Sequence, residues 1–328
     1  MREQLLEVLA EPGTGAKLEL RDARGQRQAI EEGTLVSTET GRKYPIVRGI
    51  PRFVDASNYT ASFGMQWNAF RDVQLDSVGG GSHSRDRFDA ETRWDEATLK
   101  GKWVLDGGCG AGRFAEVAAA RGANLVALDM SSAVEAAKKT LAPYPSVDVV
   151  QGSLLEPPLR RGSMDFAYCI GVAQHTPSPM DAVRQVVEAV KPGGEFALSI
   201  YARRPWTKLN AKYLIRPLTK RLPKDVLLGA IERVMPVVFP VADVLFWVPK
   251  VGKVARFVIP LAVYAPEERP TWGREQRYQE AILDTLDMLS PAFDSPMTWQ
   301  EVERVLKGVG AKSWEFATRV PINVIGKR

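Results

Sequence analysis

Apolar positions between residues 102 and 202 fall into short continuous runs separated by stretches of helical period. Trp103–Leu105, Leu125–Leu128, Val147–Val150, Phe166–Ile170 and Phe196–Ile200 are the runs. Strands are expected at 103–106, 125–129, 147–150, 164–170 and 195–201, with helices at 113–121, 131–141 and 180–190 between them. Runs this short and this apolar suit strands covered on both faces. Regular alternation of strand and helix then implies a parallel sheet with helices packed on either side. Near the end, Thr298-Trp-Gln-Glu301 has the form of a capping box and opens a helix over 299–307, which Gly308 or Gly310 closes. Two more strands are expected near Trp314–Ala317 and Ile322–Ile325.

Outside that segment the pattern changes. Residues 1–55 read as a small separate module: a short helix over Leu5–Ala10, strands at Lys17–Leu20 and Gly33–Ser37, and an extended close from Tyr44 to Val54 punctuated by proline and glycine. Residues 56–101 form a linker in which Tyr59, Phe63, Gln66, Trp67 and Phe70 recur at helical spacing. That helix either packs its aromatics on the sheet or roofs a site. Gly79–Ser84 reads as a flexible break, with His83 a solvated loop histidine. Residues 203–292 are an insertion before the last helix and strands (293–328). The centre of the insertion, Val234–Pro249, is strongly apolar, but Pro236, Pro240 and Asp243 interrupt it well short of the roughly 20 residues a membrane span requires. It is expected to be a helical cap, a hydrophobic pocket, or both.

Candidate chemistry begins where the first run of the parallel sheet ends. Asp106, Gly108, Gly110 and Gly112 form D-x-G-x-G-x-G between a strand and an alanine-rich helix. Glycines at a strand–helix turn let backbone N–H groups approach a ligand closely. Asp129 lies 17 residues beyond Gly112, at the end of the next strand, where an acid can accept hydrogen bonds from a ribose diol. Ser153 and the loop from Ile170 to His175 fall at the same carboxyl edge of the sheet, where such folds bind their ligands.

The acid-first order with alternating glycines resembles motif I of the class I S-adenosylmethionine methyltransferases, and Asp129 resembles their motif II acid. Gly152-Ser-Leu154, Ser163–Val172 and Val190–Phe196 are similar to the later motifs, in order. The resemblance implies a Rossmann-like, mostly parallel seven-stranded sheet with an antiparallel edge, joined to a small α+β module and a helical insertion. It implies S-adenosylmethionine as cofactor, held by Asp106, Gly107, Gly108, Gly110, Gly112, Asp129, Met130, Ser153, Leu154, Ile170 and Gly171, with S-adenosylhomocysteine as product. Many relatives have an acid where this chain has Ser153, so Ser153 or Leu154 would meet the adenine. Gln174-His175 resembles a frequent His-His pair facing the methyl group. His175 is the candidate general base, and Tyr59, Phe63, Gln66, Trp67, Gln174 and Tyr201 are the candidate acceptor contacts.

The N-terminal module resembles the zinc-ribbon-like domain found fused to methyltransferases or bound to them as an activator. Glu11, Thr14, Ser37 and Thr40 stand where cysteine-bearing members have their two pairs. Carboxylate and hydroxyls are poor replacements for thiolates, so no metal is expected. The chain's two cysteines, Cys109 and Cys169, offer neither a disulfide framework nor a zinc site. Net charge is +5, yet residues 201–260 hold twelve Lys or Arg against three acids, which leaves about −4 for the remainder.

These features favour an enzyme (class 2.1.1) that methylates O or N of a small, hydrophobic or lipid-linked acceptor, of the secondary-metabolite or glycan type. The ribbon-like module and basic insertion also suggest a tRNA or translation-factor methyltransferase. Against that, the sequence has no N-P-P-Y or D-P-P-Y tetrad, and its basic residues show no aromatic interleaving. A non-catalytic S-adenosylmethionine-binding scaffold is the third reading. A cytoplasmic protein without a transmembrane span is expected. Nucleic acid is disfavoured as a partner, peripheral membrane contact is open through the insertion, and oligomeric state is unassigned.

Overall fold

The computed structural model describes residues 1–55, 59–246, 248, 250–264 and 272–328. Its first sheet is antiparallel, with β1 (Leu18–Gln26), β2 (Ala29–Ser37), β3 (Lys43–Val47) and β4 (Ile50–Pro51) paired in chain order. The helix expected over Leu5–Ala10 is instead a single 3-10 turn at Glu3–Glu7, and the strand expected to stop at Leu20 continues to Gln26. The outer half of β1 is exposed and mostly polar, so hydropathy carries no signal there.

This first sheet is not packed as an independent unit. Met1, Leu5, Leu9, Leu35 and Ile46 share one apolar cluster with Leu105, Val126 and Leu128 of the large sheet. Arg2 pairs with buried Asp148 at 2.9 Å, and Arg52 reaches Gln151 and Glu135, each at 2.6 Å. Three of the four positions aligned above with cysteines donate to the fourth, the Glu11 carboxylate. Glu11 accepts hydrogen bonds from Thr14 (2.7 Å), Ser37 (2.8 Å), Thr40 (2.6 Å) and Tyr44 (3.2 Å).

The connecting segment holds α1 (Ala61–Ala69), α2 (Asp76–Gly79), α3 (His83–Thr92) and α4 (Glu96–Leu99). The break expected at Gly79–Ser84 is therefore short, and His83 is not a solvated loop residue. It opens α3 with its ring edge-on to Trp272 at 5.4 Å, a contact between distant parts of the chain that no local pattern announces.

Beyond it the chain alternates as expected: β5 (Trp103–Gly107), α5 (Arg113–Ala120), β6 (Asn124–Asp129), α6 (Val134–Thr140), β7 (Val147–Gln151), β8 (Met164–Ile170), α7 (Pro179–Ala189) and β9 (Val190–Ile200). The insertion is α8 (Ala211–Thr219), α9 (Lys224–Leu245), α10 (Val251–Val258) and α11 (Arg274–Leu289), followed by α12 (Trp299–Gly308), β10 (Ser313–Arg319) and β11 (Ile322–Lys327). The seven strands lie in the order β10-β11-β9-β8-β5-β6-β7, and β11 runs antiparallel to both its neighbours. The capping box at Thr298 and Glu301 is formed. β9 starts earlier than expected because Val190–Glu195, though polar, still pairs: Val190 aligns with Met164, and Glu195 with both Phe166 and Lys327. The chain leaves β5 in one direction to β6 and β7 and returns in the other to β8 and β9. That reversal puts a crevice at the carboxyl ends of β5 and β8.

Pro236 and Pro240, expected to interrupt the apolar run, sit inside the continuous helix α9. Both are exposed, so water can satisfy the carbonyls of Glu232 and Pro236 left without amide donors. Trp247 and Pro249 of that run lie outside the described residues. Leu227, Ile231, Met235, Phe239, Ala242 and Phe246 recur every three or four residues and bury against Ala281, Ile282, Leu286 and Leu289 of α11, while Met65 and Phe70 from the α1 region complete the cluster. This packing lowers the insertion over the crevice. Among the described residues no helix is long and apolar enough to cross a membrane.

Candidate active site

The loop after β5 is held open by its glycines and pinned by Asp129. Gly108 has φ +95°, and a Cβ there would lie 2.4 Å from a methyl group of Val172; one on Gly110 would meet the Trp67 indole at 3.1 Å. Glycine is thus required for steric reasons as well as for its backbone angle. The Leu128 carbonyl accepts from Gly108 N–H (2.8 Å) and Cys109 N–H (3.0 Å), while Asp129 Oδ2 accepts from Gly110 N–H at 2.9 Å. Ser131 donates to Asp129 Oδ1 through its amide (2.8 Å) and hydroxyl (2.6 Å). Burial pushes the Asp129 carboxyl up, against these stabilising donors. Oδ1 is filled by its two Ser131 donors, and Oδ2 keeps a lone pair for a ligand.

A cavity of about 460 Å³ opens from this loop and runs under the insertion. Of the expected cofactor residues, Gly108, Gly110, Asp129, Met130, Leu154, Ile170 and Gly171 line it. Of the expected acceptor residues, Tyr59, Phe63, Gln66, Trp67, Tyr201 and His175 do so. The helix α1 is therefore a roof rather than only a packing element.

Five expected residues do not reach the cavity wall. Gly107 and Gly112 shape the strand end and the start of α5. Ser153 is turned aside because its hydroxyl accepts the Leu155 N–H at 3.1 Å, and Leu154 takes its place at the wall. Gln174 is fully buried in a 3-10 turn, away from the cavity. Asp106 is 3 % exposed beneath the loop, with Oδ2 unbonded. Burial pushes Asp106 up to about 8; the neighbouring Tyr168 hydroxyl opposes that shift and Asp129 adds to it.

His175 is the sharpest feature. Its Nδ1 lies 3.2 Å from the Phe293 carbonyl, an acceptor only, so Nδ1 carries the proton in the neutral ring and Nε2 keeps its lone pair. Nε2 is buried and has no hydrogen-bond partner among the described residues. Phe63 (5.3 Å) and Tyr201 (5.6 Å) hold the ring edge-to-face.

Sequence reasoning missed the other wall. Asp284, Asp287 and Met288 of α11, Tyr264 and Ala262 before it, and the ion pair of Lys212 with Asp294 (2.8 Å) all face the cavity. The available signal was Glu280, Asp284 and Asp287 at i, i+4 and i+7, a carboxylate stripe that reads as a solvated face until the helix is docked.

Residues 105–198 match a family model described as a methyltransferase domain. That segment, less than a third of the chain, is similar to methyltransferase domains. Its cofactor is S-adenosylmethionine, and the cradle fits it: glycine amides without obstructing Cβ atoms, and an acid at the end of β6. Two curated relatives are both ubiquinone biosynthesis O-methyltransferases. The one from Pseudomonas aeruginosa (strain UCBPP-PA14) is 32% identical over 133 residues, 38% of this chain and 57% of the relative. The one from Escherichia coli O139:H28 (strain E24377A) is 36% identical over 129 residues, 37% and 54% of the two chains. The chain thus spans a little over half the length of these relatives. Among solved structures, the YcgJ protein of Bacillus subtilis superimposes on 42% of this chain and 59% of its own, at 24% identity and a TM-score of 0.36, too slight a likeness to argue from.

Proposed function

We propose that this chain is a methyltransferase that moves the methyl group of S-adenosylmethionine to an oxygen, or to a nitrogen, of a small hydrophobic or lipid-linked acceptor. The observation that carries this reading is His175, a residue of the cavity wall between the glycine loop and the insertion, whose buried Nε2 has no hydrogen-bond partner among the described residues. Bound S-adenosylmethionine would supply an electrophilic methyl on a sulfonium. The protein's part is to align an acceptor in line with that methyl, exclude water and take the acceptor's proton. His175 Nε2 can take it, with Nδ1–H anchored on Phe293. The Phe63, Trp67 and Tyr59 rings favour an apolar acceptor, and the relatives' names favour oxygen.

Two further parts belong to this reading. The N-terminal sheet is a metal-free, zinc-ribbon-like module in which Glu11 and its hydroxyl donors take the place of the metal. The outer face of the insertion rests on a bilayer that delivers the acceptor. Support for the second part comes from Val234, Val237, Val241, Val244 and Val248 along one exposed side of α9 and beyond, and Val251, Val254 and Val258 on α10, beside exposed Arg203, Arg204, Lys208, Lys220, Arg221 and Lys250.

The test is His175→Ala assayed for methyl transfer from labelled S-adenosylmethionine to a demethylated quinol-type phenol and to an aliphatic alcohol. A fall in kcat of roughly 10²–10⁴ on the alcohol, with cofactor affinity unchanged, is expected. Equal kcat in both proteins would remove His175 from the proton transfer.

A further inference from the structure

The acids around the cavity divide into two kinds. Asp294 has its cation in Lys212, and Asp129 is surrounded by N–H and O–H donors. Asp284 and Asp287 form no ion pair among the described residues. Gln74 Nε2 reaches Asp284 at 3.3 Å, Gln66 Nε2 reaches Asp287 at 3.3 Å, and the Tyr264 hydroxyl bonds Asp284. These are neutral donors. Arg87 holds Glu91 at 2.9 Å. Burial and the neighbouring acids push Asp284 up and outweigh the Arg113 guanidinium, which holds Ser84 and Gln74 and draws Asp284 down.

A second observation comes from α1. Gln66 is 1 % exposed and lines the cavity, and its Oε1 has no hydrogen-bond partner. One amide N–H goes to Asp287 and the free oxygen can only accept, beside two acids that accept when ionised. Two partly buried acids hydrogen-bonded only by neutral donors, beside an unpaired amide oxygen, suit a ligand that brings donors and positive charge.

We infer that Asp284, Asp287 and the Gln66 amide oxygen form a receptor for an ammonium group on the methyl acceptor, whose apolar remainder lies against Tyr59, Phe63 and Trp67. An ammonium offers three donors and no acceptor, which suits three acceptor groups from two helices. The aromatic faces nearby add attraction for a cation. Phe63, which packs on His175, and Gln66 are one helical turn apart on α1. The receptor therefore stands about 5 Å along the helix from the catalytic imidazole's contact. An acceptor held this way carries its amino group a few bonds from the atom that is methylated. Burial, with Glu280 and Asp287 adjacent, pushes Asp284 up to about 7, and an entering cation draws its proton off.

The inference rests on the proposed methyl transfer, and one calorimetric experiment separates the two. The full-length protein is titrated with S-adenosylhomocysteine, and the resulting complex with octylamine, octanol and octanoate. Octylamine is expected to bind at least about tenfold more tightly than octanol, with octanoate weakest. In Asp284→Asn/Asp287→Asn that preference should shrink to about twofold while S-adenosylhomocysteine affinity is retained, which also reports an intact fold. Equal binding of octylamine and octanol to the wild-type complex overturns the receptor, without needing any variant. A preference that survives in the double variant overturns it too. If the double variant instead loses S-adenosylhomocysteine, the pair serves the cofactor's own amino group and the receptor is wrong. Wild-type protein that fails to bind S-adenosylhomocysteine defeats the methyltransferase reading itself.

Discussion

Asp106 is where a single residue's cost is most visible. Its carboxyl is buried with an unbonded oxygen and is pushed up to about 8 by burial, with Asp129 adding and Tyr168 opposing. For an acid raised above its unfolded value of about 3.9, the favourable contribution is complete below that pH and is lost as pH rises towards 8. At neutral pH the buried carboxyl of the protein without cofactor is mostly protonated, and it costs stability because the unfolded chain would ionise there. Asp106→Asn is expected to raise unfolding stability by about 1–3 kcal/mol at pH 8 and by far less at pH 4, while weakening S-adenosylmethionine binding. Denaturant melts at both pH values and one calorimetric titration check it; a gain of equal size at pH 4 and pH 8 would rule out charge as the cause. Asp129 behaves differently. It already fixes the glycine loop, so Asp129→Ala should cost about 2–4 kcal/mol of S-adenosylmethionine affinity through lost ligand bonds and a loosened loop.

Among elements, the first sheet shows how a polar cluster can tie strand turns together. Glu11 is held near pH 2. Burial alone would raise it, and the hydroxyls of Thr40, Thr14, Ser37 and Tyr44 outweigh that. An acid with a depressed value gives stability that is present above its unfolded value and fades as pH falls through the folded one. Glu11→Gln leaves one acceptor oxygen for four donors. It should destabilise the protein by about 1–3 kcal/mol at pH 7, and the deficit should close as pH falls towards 2. A deficit independent of pH would mean that shape, not charge, is what Glu11 supplies. The insertion shows the opposite economy: α9 and α11 are ordinary amphipathic helices whose apolar sides face each other, and their polar residues acquire roles only from what lies across the cavity.

At the scale of the whole molecule, exposed apolar residues are concentrated in one place. Among the described residues, thirteen of the eighteen exposed large hydrophobics fall between Trp206 and Val258, in the same segment that holds the excess positive charge. An apolar helical face with a basic border fits an anionic bilayer surface. The protein should sediment with vesicles containing phosphatidylglycerol, less with pure phosphatidylcholine, and less again at high salt. Val241→Asp with Val244→Asp should abolish sedimentation while S-adenosylhomocysteine binding persists. Concentration-dependent dimerisation in place of vesicle binding would assign the face to a second copy of the chain.

The sequence by itself determined the parallel sheet, its strand ends and the glycine–acid cradle. These depend on local regularities: apolar runs of fixed length, glycines where backbone must turn, and a carboxylate at a strand terminus. It also brought out Tyr59, Phe63, Gln66 and Trp67 as one helical side, because aromatic spacing survives without knowledge of the partner. Docking decided the rest. Ser153 is excluded from the cavity by a two-residue turn bond, Gln174 by burial, and His83 is drawn onto Trp272 from the far side of the insertion. Asp284 and Asp287 lie more than 150 residues from Asp129 along the chain and become its neighbours across a cavity only when α11 packs over the crevice. A side chain's chemistry is written in its type, but its dielectric surroundings and its partners are set by chain segments that no local window contains.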